Sequence, residues 1–249
     1  MCTVSFIPTS KGFLLGMNRD EQRVRAKALP PDIHECGSLS ALYPSEPSGG
    51  TWIGLNETGL TIALINWYSK PQLTGRPAFS RGEIIPKLLT TRTLQDAEIL
   101  LRDLPLSKLN PFRLIVVSAK EQSIHEFRSD AVSLDKALCS WEKTHWFSSG
   151  YDEPEAMRQR GMICEKETYH PDTYSPIQLR KLHRSHAPDK GAFSICMHRD
   201  DATTVSYSEV VFEGKSFTIS YLEGTPCNSL RGFQNQPSRT LDFNSGRGL

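Results

Sequence analysis

The sequence predicts one α+β domain in which helices pack on the outside of β-sheets. The chain has 249 residues, which is enough to bury a large core within a single domain. Segments with strand-like and helix-like patterns follow one another in the order strands, helices, strands, helices, strands. We find no internal repeat and no convincing linker. This order favours a single domain over residues 1–227, followed by a polar tail at residues 228–249 that we expect to be flexible.

A β-hairpin is predicted at the start of the chain. Two short apolar runs, residues 3–8 and 12–17, flank a polar turn, and Gly12 begins the second run. The hairpin returns the chain to its own beginning, so Cys2 and the acidic Asp20 are expected to be neighbours. A second hairpin is predicted from residues 49–55 and 60–67. Its second strand ends at Asn66, an amide flanked by apolar residues.

The remaining elements follow from capping residues, prolines and apolar spacing. Ser80 and Glu83 match a capping box, and Thr93 and Ser175 are predicted to open two further helices. Pro154 fits the first turn of a helix that ends near residue 169. Because residues 21–47 contain four prolines, we predict a long loop there. Further strands are predicted within residues 112–118, 123–128, 141–149, 192–197, 203–212 and 216–222.

Composition and charge narrow the class of protein. Lysine plus arginine (29) nearly equals aspartate plus glutamate (28), which gives no electrostatic reason to expect nucleic acid or an anionic membrane as a partner. The apolar stretches are too short to span a bilayer, and no secretory signal opens the chain. The six cysteines form no CxxC pair, so free thiols are expected. The sequence therefore predicts a cytoplasmic globular protein.

Cys2 is the sharpest catalytic candidate. If Met1 is removed, Cys2 carries a thiol nucleophile and a free α-amino group, which combines nucleophile and base in one residue. An α-amino group of pKa about 7.7–8.0 is well matched to that task near neutral pH. The alternative is a buried structural thiol, which composition alone leaves equally plausible.

Asp20, Arg19 and Asn66 are the other candidates near the two hairpins. Strand alternation places Asn18 and Asp20 on one face and Arg19 on the other. Asp20 is expected to face the nucleophile. Arg19 is expected to form ion pairs behind the sheet, with Glu21 or another acid, and is also retained as a candidate substrate contact. Asn66 is interpreted either as a cap of its strand or as a hydrogen-bond donor to a tetrahedral oxyanion, a role worth about 3 kcal/mol at known sites.

Three further residues are candidate substrate contacts. Trp52 follows Gly49-Gly50-Thr51 and could lie against a ligand, although a tryptophan in a strand more often belongs to the core. His198 and Arg199 could bind a carboxylate or phosphate, since arginine offers a planar fork of donors. A solvated turn is the simpler interpretation of the sequence His-Arg-Asp-Asp at residues 198–201.

Metal chemistry is not predicted. The seven histidines show no metal-ligand spacing, and the sequence indicates no cluster of cysteine and histidine, which argues against a zinc centre. His34, His145 and His198 are single candidates for ligation of a haem iron, but an isolated histidine is seldom a ligand. No Gly-rich phosphate loop or other cofactor fingerprint is present, so no cofactor is expected for catalysis.

Four motifs give the sequence a family resemblance. They occur in the order Met1-Cys2-Thr3, Asn18-Arg19-Asp20-Glu21, Gly49-Gly50-Thr51-Trp52-Ile53-Gly54 and Ser80-Arg81-Gly82. Together they resemble the NRDE family, also called the transport and Golgi organisation protein 2 family. The run Ser194-Ile195-Cys196-Met197-His198-Arg199 resembles a bacterial branch of that family. The resemblance extends from residue 1 to about residue 227.

This resemblance implies an N-terminal-nucleophile hydrolase fold, a four-layer αββα sandwich. It also implies a remote similarity to choloylglycine hydrolases and penicillin V acylase, in which a terminal cysteine cleaves a non-peptide amide. By this similarity, Cys2 corresponds to the nucleophile, Asp20 to the carboxylate that holds its amino group, and Asn66 to an oxyanion donor. Two positions differ. Met17 stands where the enzymes carry an arginine, and no amide stands near residues 148–149, where they carry a second asparagine.

Two functions are consistent with the resemblance. The first is a cysteine hydrolase or acyltransferase that acts on a non-peptide amide or a thioester. The second is a non-catalytic trafficking protein that holds haem, acyl-CoA or another lipid on the same fold, with haem as a transported ligand rather than a catalytic cofactor. A purely structural scaffold is a weaker third interpretation, because it leaves polar strand ends with no cleft to line. For both the enzyme and the carrier, the expected partner is a small molecule: an amide, an acyl-CoA or haem.

Overall fold

The computed structural model describes residues 2–75, 79–167, 175–228 and 236–244. Two antiparallel sheets stack face to face, and helices cover their outer faces, which gives the expected α+β sandwich of four layers. The elements alternate along the chain in the order predicted from the sequence. None of the helices that the structure describes is both long and apolar enough to cross a bilayer.

The first sheet has six strands and contains both ends of the domain. Its strands in chain order are β1 (Cys2–Thr9), β2 (Gly12–Gln22), β10 (Thr144–Ser148), β11 (Ala202–Phe212), β12 (Ser216–Glu223) and β13 (Ser238–Asp242). In space they lie in the order β10-β1-β2-β11-β12-β13. The predicted first hairpin is therefore central, with a neighbouring strand on each side. Two-sided pairing holds Cys2 in a defined position at the start of β1.

The second sheet has seven strands in simple sequential order. They are β3 (Leu29–Cys36), β4 (Leu39–Ser45), β5 (Ile53–Asn56), β6 (Leu60–Asn66), β7 (Phe112–Ser118), β8 (Ser123–Ser129) and β9 (Leu134–Cys139). The second predicted hairpin is β5–β6, and Gly59 takes the positive φ of +94° that its turn requires. The predicted pair β7–β8 is also present.

The main core lies between the two sheets. Phe6, Phe13 and Phe217 from the first sheet meet Leu55 and Ile115 from the second, and all five are buried. Because successive residues of a strand point to opposite faces, the other face of each sheet needs its own cover. Helices supply that cover on both sides.

Within the described residues, four α-helices form the outer layers. α1 (Ile84–Leu88) and α2 (Leu94–Asp103) pack on the seven-stranded sheet. α3 (Glu153–Glu167) and α4 (Pro176–His183) pack on the six-stranded sheet. The capping residues that were predicted from the sequence cap these helices in the structure. Ser80 and Glu83 form a reciprocal capping box ahead of α1, and Thr93 and Ser175 accept hydrogen bonds at the starts of α2 and α4.

Two predicted local structures are wrong. Part of the predicted loop 21–47 forms β3 and β4, because β3 is an edge strand and tolerates Pro30 and Pro31 at a register shift between Leu29 and Asp32. The predicted strand at residues 192–197 is instead a series of bends, joined to β11 by a single bridge between His198 and Thr203. The backbone groups of residues 192–197 form hydrogen bonds with side chains and loop residues, so this segment does not pair as a strand of the sheet.

The predicted flexible tail also differs in part from the structure. Ser238–Asp242 form β13, which pairs with β12 and adds an edge strand to the six-stranded sheet. Leu241 explains this pairing, since it is buried in the core between the sheets. Leu241 and Phe243 are two apolar residues in an otherwise polar stretch, which gave little local signal. Residues 229–235 and 245–249 of the predicted tail lie outside the described residues, as do residues 168–174 after α3.

Candidate active site

A cavity of about 680 Å³ opens where the two sheets meet near the start of the chain. We call it the Cys2 cavity. It is bounded by the beginning of β1, the end of β2, the end of β6 and the short 3-10 turn ahead of α1. Its walls contain Cys2, Arg19, Asp20, Glu21, Arg25, Glu46, Thr51, Trp52, Leu64, Asn66, Phe79, Ser80, Arg81, Gly82 and Asn110. Five of the seven residues singled out from the sequence therefore share this cavity: Cys2, Arg19, Asp20, Trp52 and Asn66.

Cys2 is held by strand pairing on both sides. Its register partners are Arg19 on β2 and Ser148 on β10. Directly opposed residues in an antiparallel pair project to the same face, so Cys2, Arg19 and Ser148 all face the second sheet. Cys2 is 7% exposed. A buried thiol at the wall of a cavity is consistent with either a nucleophile or a packing residue, so its neighbours decide what it can do.

The surroundings of Cys2 disfavour ionisation of its thiol. Burial raises its pKa above the usual value of 9.0, and the negative charge of Asp20 acts in the same direction. The positive charges of the amino terminus and of Arg19, together with a backbone hydrogen bond from Asp20, act against this rise. A nucleophilic thiol here therefore needs a base that accepts its proton during attack.

Asp20 lies on the opposite face of β2 from Arg19. Its carboxylate accepts a hydrogen bond from Thr204 Oγ1 (2.6 Å) and lies 3.5 Å from Arg160 Nη2 in an ion pair that is completely buried. Burial raises the pKa of Asp20, although the charge of Arg160 lowers it. The predicted alternation of Asn18 and Asp20 against Arg19 is thus correct. The expectation that Arg19 lies behind the sheet is wrong, because the register pairs Cys2 with Arg19.

Arg19 anchors a network of charges in the cavity wall. Its guanidinium lies over the ring of Trp52, 4.4 Å from the ring centroid, and forms an ion pair with Glu46. Arg25 also pairs with Glu46 at 2.8 Å and with Glu21 at 3.3 Å. Arg19 is 5% exposed, so its charge requires these partners. The NRDE motif therefore contributes Arg19 and Glu21 to the cavity wall as well as Asp20.

Asn66 ends β6 beside the cavity. Its Nδ2 donates to the Tyr68 hydroxyl at 2.7 Å, and the residue is half-buried. Glu153 holds the segment after Asn66, because its carboxylate accepts hydrogen bonds from the backbone N–H groups of Tyr68 (3.3 Å) and Ser69 (2.7 Å). A fixed amide at the mouth of a cavity can donate to an anionic oxygen.

Ser148 is a polar neighbour of Cys2 that our site prediction did not include. It is fully buried, and its hydroxyl has no hydrogen-bond partner among the described residues. It stands at the place where the related enzymes are expected to carry an asparagine. Ser148 is not among the described walls of the Cys2 cavity, so its register position opposite Cys2 and its unpartnered hydroxyl are what make it a second candidate donor.

Arg81 is a further cavity residue that the sequence did not single out as a site. Two of the family motifs meet here, since the Thr51 N–H donates to Gly82 O at 3.0 Å and a Cβ on Gly50 or Gly82 would lie 3.3 Å from the other glycine. Arg81 donates to Pro111 O at 2.8 Å. Burial lowers its pKa. No described carboxylate forms an ion pair with it.

His198 and Arg199 lie outside the walls of the Cys2 cavity as the structure describes them. Arg199 pairs with Asp201 at 2.7 Å and lies over the ring of Tyr151. His198 Nε2 is 3.0 Å from His186 Nε2 and is close to two cysteine sulfurs. The prediction that the chain has no Cys/His cluster is therefore wrong, because folding joins residues that are far apart in sequence.

The other two histidines considered for haem have internal partners. His34 stacks on Tyr43 with 3.9 Å between ring centroids. His145 is deeply buried, and its Nδ1 is 2.8 Å from Ser5 Oγ. Burial lowers the pKa of His145 to about 4. Neither residue is among the described walls of the Cys2 cavity.

The stacked antiparallel sheets, with Cys2 at the start of a central strand, define the N-terminal-nucleophile hydrolase fold. A mutant conjugated bile acid hydrolase from Clostridium perfringens has a similar structure, with a TM-score of 0.56, 10% identity and 98% coverage of both chains. Penicillin V acylase from Agrobacterium tumefaciens has a TM-score of 0.51 and 11% identity over 97% of this chain and 91% of that one. An N-acylethanolamine-hydrolysing acid amidase orthologue from Caenorhabditis elegans has a TM-score of 0.53 and 12% identity over 98% of this chain and 100% of that one. At such identities the similarity establishes the fold alone.

The chain belongs to the Transport and Golgi organisation 2 family, whose model matches residues 1–163. This span contains all four motifs recognised in the sequence and the whole seven-stranded sheet. A search among curated proteins finds no match.

Proposed function

We propose that this protein is a cysteine N-terminal-nucleophile hydrolase or acyltransferase that acts on a non-peptide amide or a thioester. The observation that carries the proposal is the position of Cys2. It starts a central strand, opens onto a cavity of about 680 Å³, and has the amide of Asn66 in the same cavity wall. The fold and the family are consistent with this chemistry, and three similarly folded proteins are named as hydrolases or acylases of amide substrates.

The proposed reaction begins after removal of Met1. The α-amino group of Cys2 takes the thiol proton, and Sγ forms a bond to the acyl carbon of the substrate. The carbonyl oxygen becomes an oxyanion. Collapse of the tetrahedral intermediate breaks the C–N or C–S bond, and the ammonium proton goes to the departing amine or thiolate. Water then attacks the thioester on Cys2, which releases a carboxylic acid and restores the thiol. An acceptor amine or alcohol in place of water gives acyl transfer.

The surrounding residues have distinct proposed roles. Asn66 Nδ2 donates to the oxyanion after it exchanges its Tyr68 partner for the substrate. The buried Ser148 hydroxyl is a second donor, in place of the missing asparagine. Asp20 orients the amino group, and Arg160 and Thr204 hold Asp20 in turn. Met17, which replaces the arginine of the related enzymes, is buried between the sheets, so any guanidinium in the cavity comes from another position.

Arg81 supports a substrate with an anionic group. It is half-buried in the cavity wall and pairs with no described carboxylate, whereas Arg19 and Arg25 share Glu46. A partly desolvated guanidinium favours a bidentate partner such as a carboxylate or a phosphate. The polar walls around it accommodate a charged headgroup better than a bare hydrocarbon chain.

Intact-mass measurement after exposure to acyl donors tests the proposal. A short-chain acyl-CoA and an activated acyl ester are incubated with the native protein and with Cys2→Ala and Cys139→Ser variants. We expect a chain without Met1, an acyl adduct on Cys2, loss of that adduct in Cys2→Ala, and its retention in Cys139→Ser. Retained Met1, or an adduct that persists in Cys2→Ala, contradicts the proposal.

A carrier function is the second candidate, and a specific observation favours it. The positions that correspond to the arginine and the second asparagine of the related enzymes hold Met17 and Ser148–Ser149, whereas Arg81 in the cavity wall pairs with no described carboxylate and is available to an anionic ligand. Haem propionates and the phosphates of acyl-CoA both provide such a group. Titration of the Cys2→Ala variant with haem and with long-chain acyl-CoA tests binding, and a wild-type Cys2 that stays unacylated by the same acyl-CoA separates this function from catalysis. Saturable 1:1 binding that Arg81→Gln weakens supports a carrier, and no binding at micromolar concentration argues against it.

A further inference from the structure

A group of four potential metal ligands lies on the side of the molecule formed by β11 and the loop before it. It consists of His186, Cys196, His198 and Cys227, which we call the Cys/His cluster. One nitrogen or sulfur atom from each residue lies within 4.8 Å of the corresponding atoms of the other three. The residues come from three separate stretches of chain, so their convergence is a product of tertiary folding. None belongs to the described walls of the Cys2 cavity.

The three distances from His198 Nε2 to the other cluster atoms are close to the edges of a tetrahedron around one metal ion. His186 Nε2 and His198 Nε2 are 3.0 Å apart, and His198 Nε2 is 3.7 Å from Cys196 Sγ and 3.4 Å from Cys227 Sγ. Tetrahedral bonds of about 2.3 Å to sulfur and about 2.0 Å to nitrogen imply ligand-to-ligand edges of about 3.3–3.8 Å. The three distances from His198 Nε2 therefore lie within about 0.3 Å of tetrahedral edges, and the other three distances are no longer than 4.8 Å.

Hydrogen bonding alone does not account for this arrangement. A histidine ring nitrogen has one lone pair or one hydrogen, directed along a single line in the ring plane. His198 Nε2 nevertheless has three short neighbours, one nitrogen and two sulfurs. A metal ion at the centre satisfies all four atoms at once, because each ligand then directs its lone pair to the same point.

We propose that the Cys/His cluster binds one Zn²⁺ ion. Two thiolates and two neutral imidazoles are a donor set that suits tetrahedral zinc, whereas harder ions such as Mg²⁺ and Ca²⁺ prefer oxygen ligands. Two thiolate charges neutralise Zn²⁺, so the loaded site carries no net charge. This suits its surroundings, since Cys196 is fully buried and the other three residues are half-buried.

The zinc has a structural role, because protein atoms fill all four positions and leave none for water or substrate. It joins the loop between α4 and β11 to the 3-10 turn at Pro226–Asn228 after β12. This loop lies directly behind Asp20. Ile195 O accepts a hydrogen bond from Asn18 Nδ2 (2.9 Å), and Met197 N donates to Thr204 Oγ1 (2.8 Å), which itself donates to Asp20. Zinc therefore supports the strand region that holds Asp20.

Metal analysis of the full chain, purified with reductant and a small excess of Zn²⁺ followed by desalting, tests the assignment. We expect about one zinc per chain in the wild type, and about two sulfur ligands at 2.3 Å with two nitrogen ligands at 2.0 Å by X-ray absorption. Cys227→Ser and His186→Gln should each lose most of the bound zinc. Cys139→Ser and His125→Gln alter thiol and imidazole groups outside the cluster, so both should retain it.

A second measurement covers variants that fold poorly. Chelation of the wild-type protein should lower its thermal midpoint by about 5–10 °C, and Zn²⁺ alone should restore it. Cys2→Ala should have the same zinc content and the same response to chelation as the wild type. The two experiments therefore test the zinc assignment independently of the proposed hydrolase activity. A zinc content near zero, a Cys196–Cys227 disulfide in the reduced preparation, or equal zinc in wild type and Cys227→Ser overturns the proposal.

Discussion

Cys2 and Arg19 are directly opposed on β1 and β2, and their side chains project to the same face of the six-stranded sheet. This register brings the nucleophile candidate and a guanidinium into one cavity, while Asp20 extends to the other face towards Arg160. The motif Asn18-Arg19-Asp20-Glu21 therefore serves both sides of the sheet. Arg19 and Glu21 belong to the charge network of the cavity wall, and Asn18 and Asp20 bind the layer behind it.

The reactivity of Cys2 should depend on whether its amino group is free. Burial raises the pKa of the Cys2 thiol, so the thiolate is scarce at neutral pH when no base is beside it. A chain with a short N-terminal extension should be alkylated by iodoacetamide slowly at pH 7, with a rate that climbs about tenfold per pH unit. The processed chain should react faster near pH 8, since its α-amino group accepts the proton. Equal rates for both forms would contradict this role of the amine.

Asn66→Ala should slow acylation of Cys2 by about 10²–10³-fold, because an oxyanion donor acts chiefly in the transition state. Tyr68→Phe is the matched control. It removes the hydroxyl that accepts from Asn66 but leaves the amide, so its effect should stay below about tenfold. Single-turnover acylation followed by mass spectrometry measures both variants. A similar loss in the two would indicate that Asn66 acts only through packing.

Arg81→Gln should weaken the binding of anionic substrates. Loss of one charge-assisted interaction should raise KM by about 10–150-fold and change kcat little. A neutral ester of the same acyl chain should be unaffected. Arg158→Gln removes an arginine that pairs with Glu155 on the exposed face of α3 and serves as the charge-matched control. An equal response of charged and neutral substrates would show that Arg81 does not contact the anionic group.

Arg160→Met should lower the free energy of unfolding by about 3–5 kcal/mol, since it leaves the buried carboxylate of Asp20 without its cation. Arg160 is fully buried and also donates to Thr3 Oγ1 at 3.0 Å. Urea unfolding at pH 7 measures the change. Arg158→Met, two residues away on the same helix and exposed, should cost far less. Adding Asp20→Asn to Arg160→Met should recover part of the loss, and full additivity of the two changes would argue against the ion pair.

Two buried histidines should make the protein sensitive to acid. Burial lowers the pKa of His183 to about 3 and that of His145 to about 4, and Lys143 adds to the effect on His145. Because these values lie below the usual 6.5, protons bind the unfolded chain more readily. Their contribution to the free energy of unfolding is therefore fully present above pH 6.5. It is lost as the pH decreases towards 4, by about 1.4 kcal/mol per pH unit for each histidine.

Urea unfolding between pH 7 and pH 4 measures this slope. His145→Gln and His183→Gln should each reduce it, whatever their effect on stability at pH 7, and the double variant should reduce it further. Both side chains lie beside Ser5 Oγ, at 2.8 Å and 3.0 Å, so their contributions are coupled. A slope unchanged in the double variant would assign the acid sensitivity to carboxylates instead.

Local patterns predicted most of the fold. Both hairpins that build the Cys2 cavity, the strand pair β7–β8 and the caps of the helices follow from residues within a few positions of one another. Predictions failed where partners are distant. β3 contains Pro30 and Pro31, which its edge position tolerates, and residues 192–197 pair with the loop and side chains around them rather than with a strand.

The sequence by itself identified Cys2, Asp20 and Asn66 as site candidates, because they occur at the ends of strands that alternation and turns define and match motifs of the enzymes that the chain resembles. The tertiary structure alone decided which faces these strands present, so it placed Arg19 beside Cys2 and Asp20 against Arg160. It also brought Arg81 to the cavity and joined His186 and Cys227 to Cys196 and His198. The reason is physical. Strand register and loop packing are fixed by contacts between residues far apart in the chain, so they cannot be predicted from the pattern of neighbouring residues.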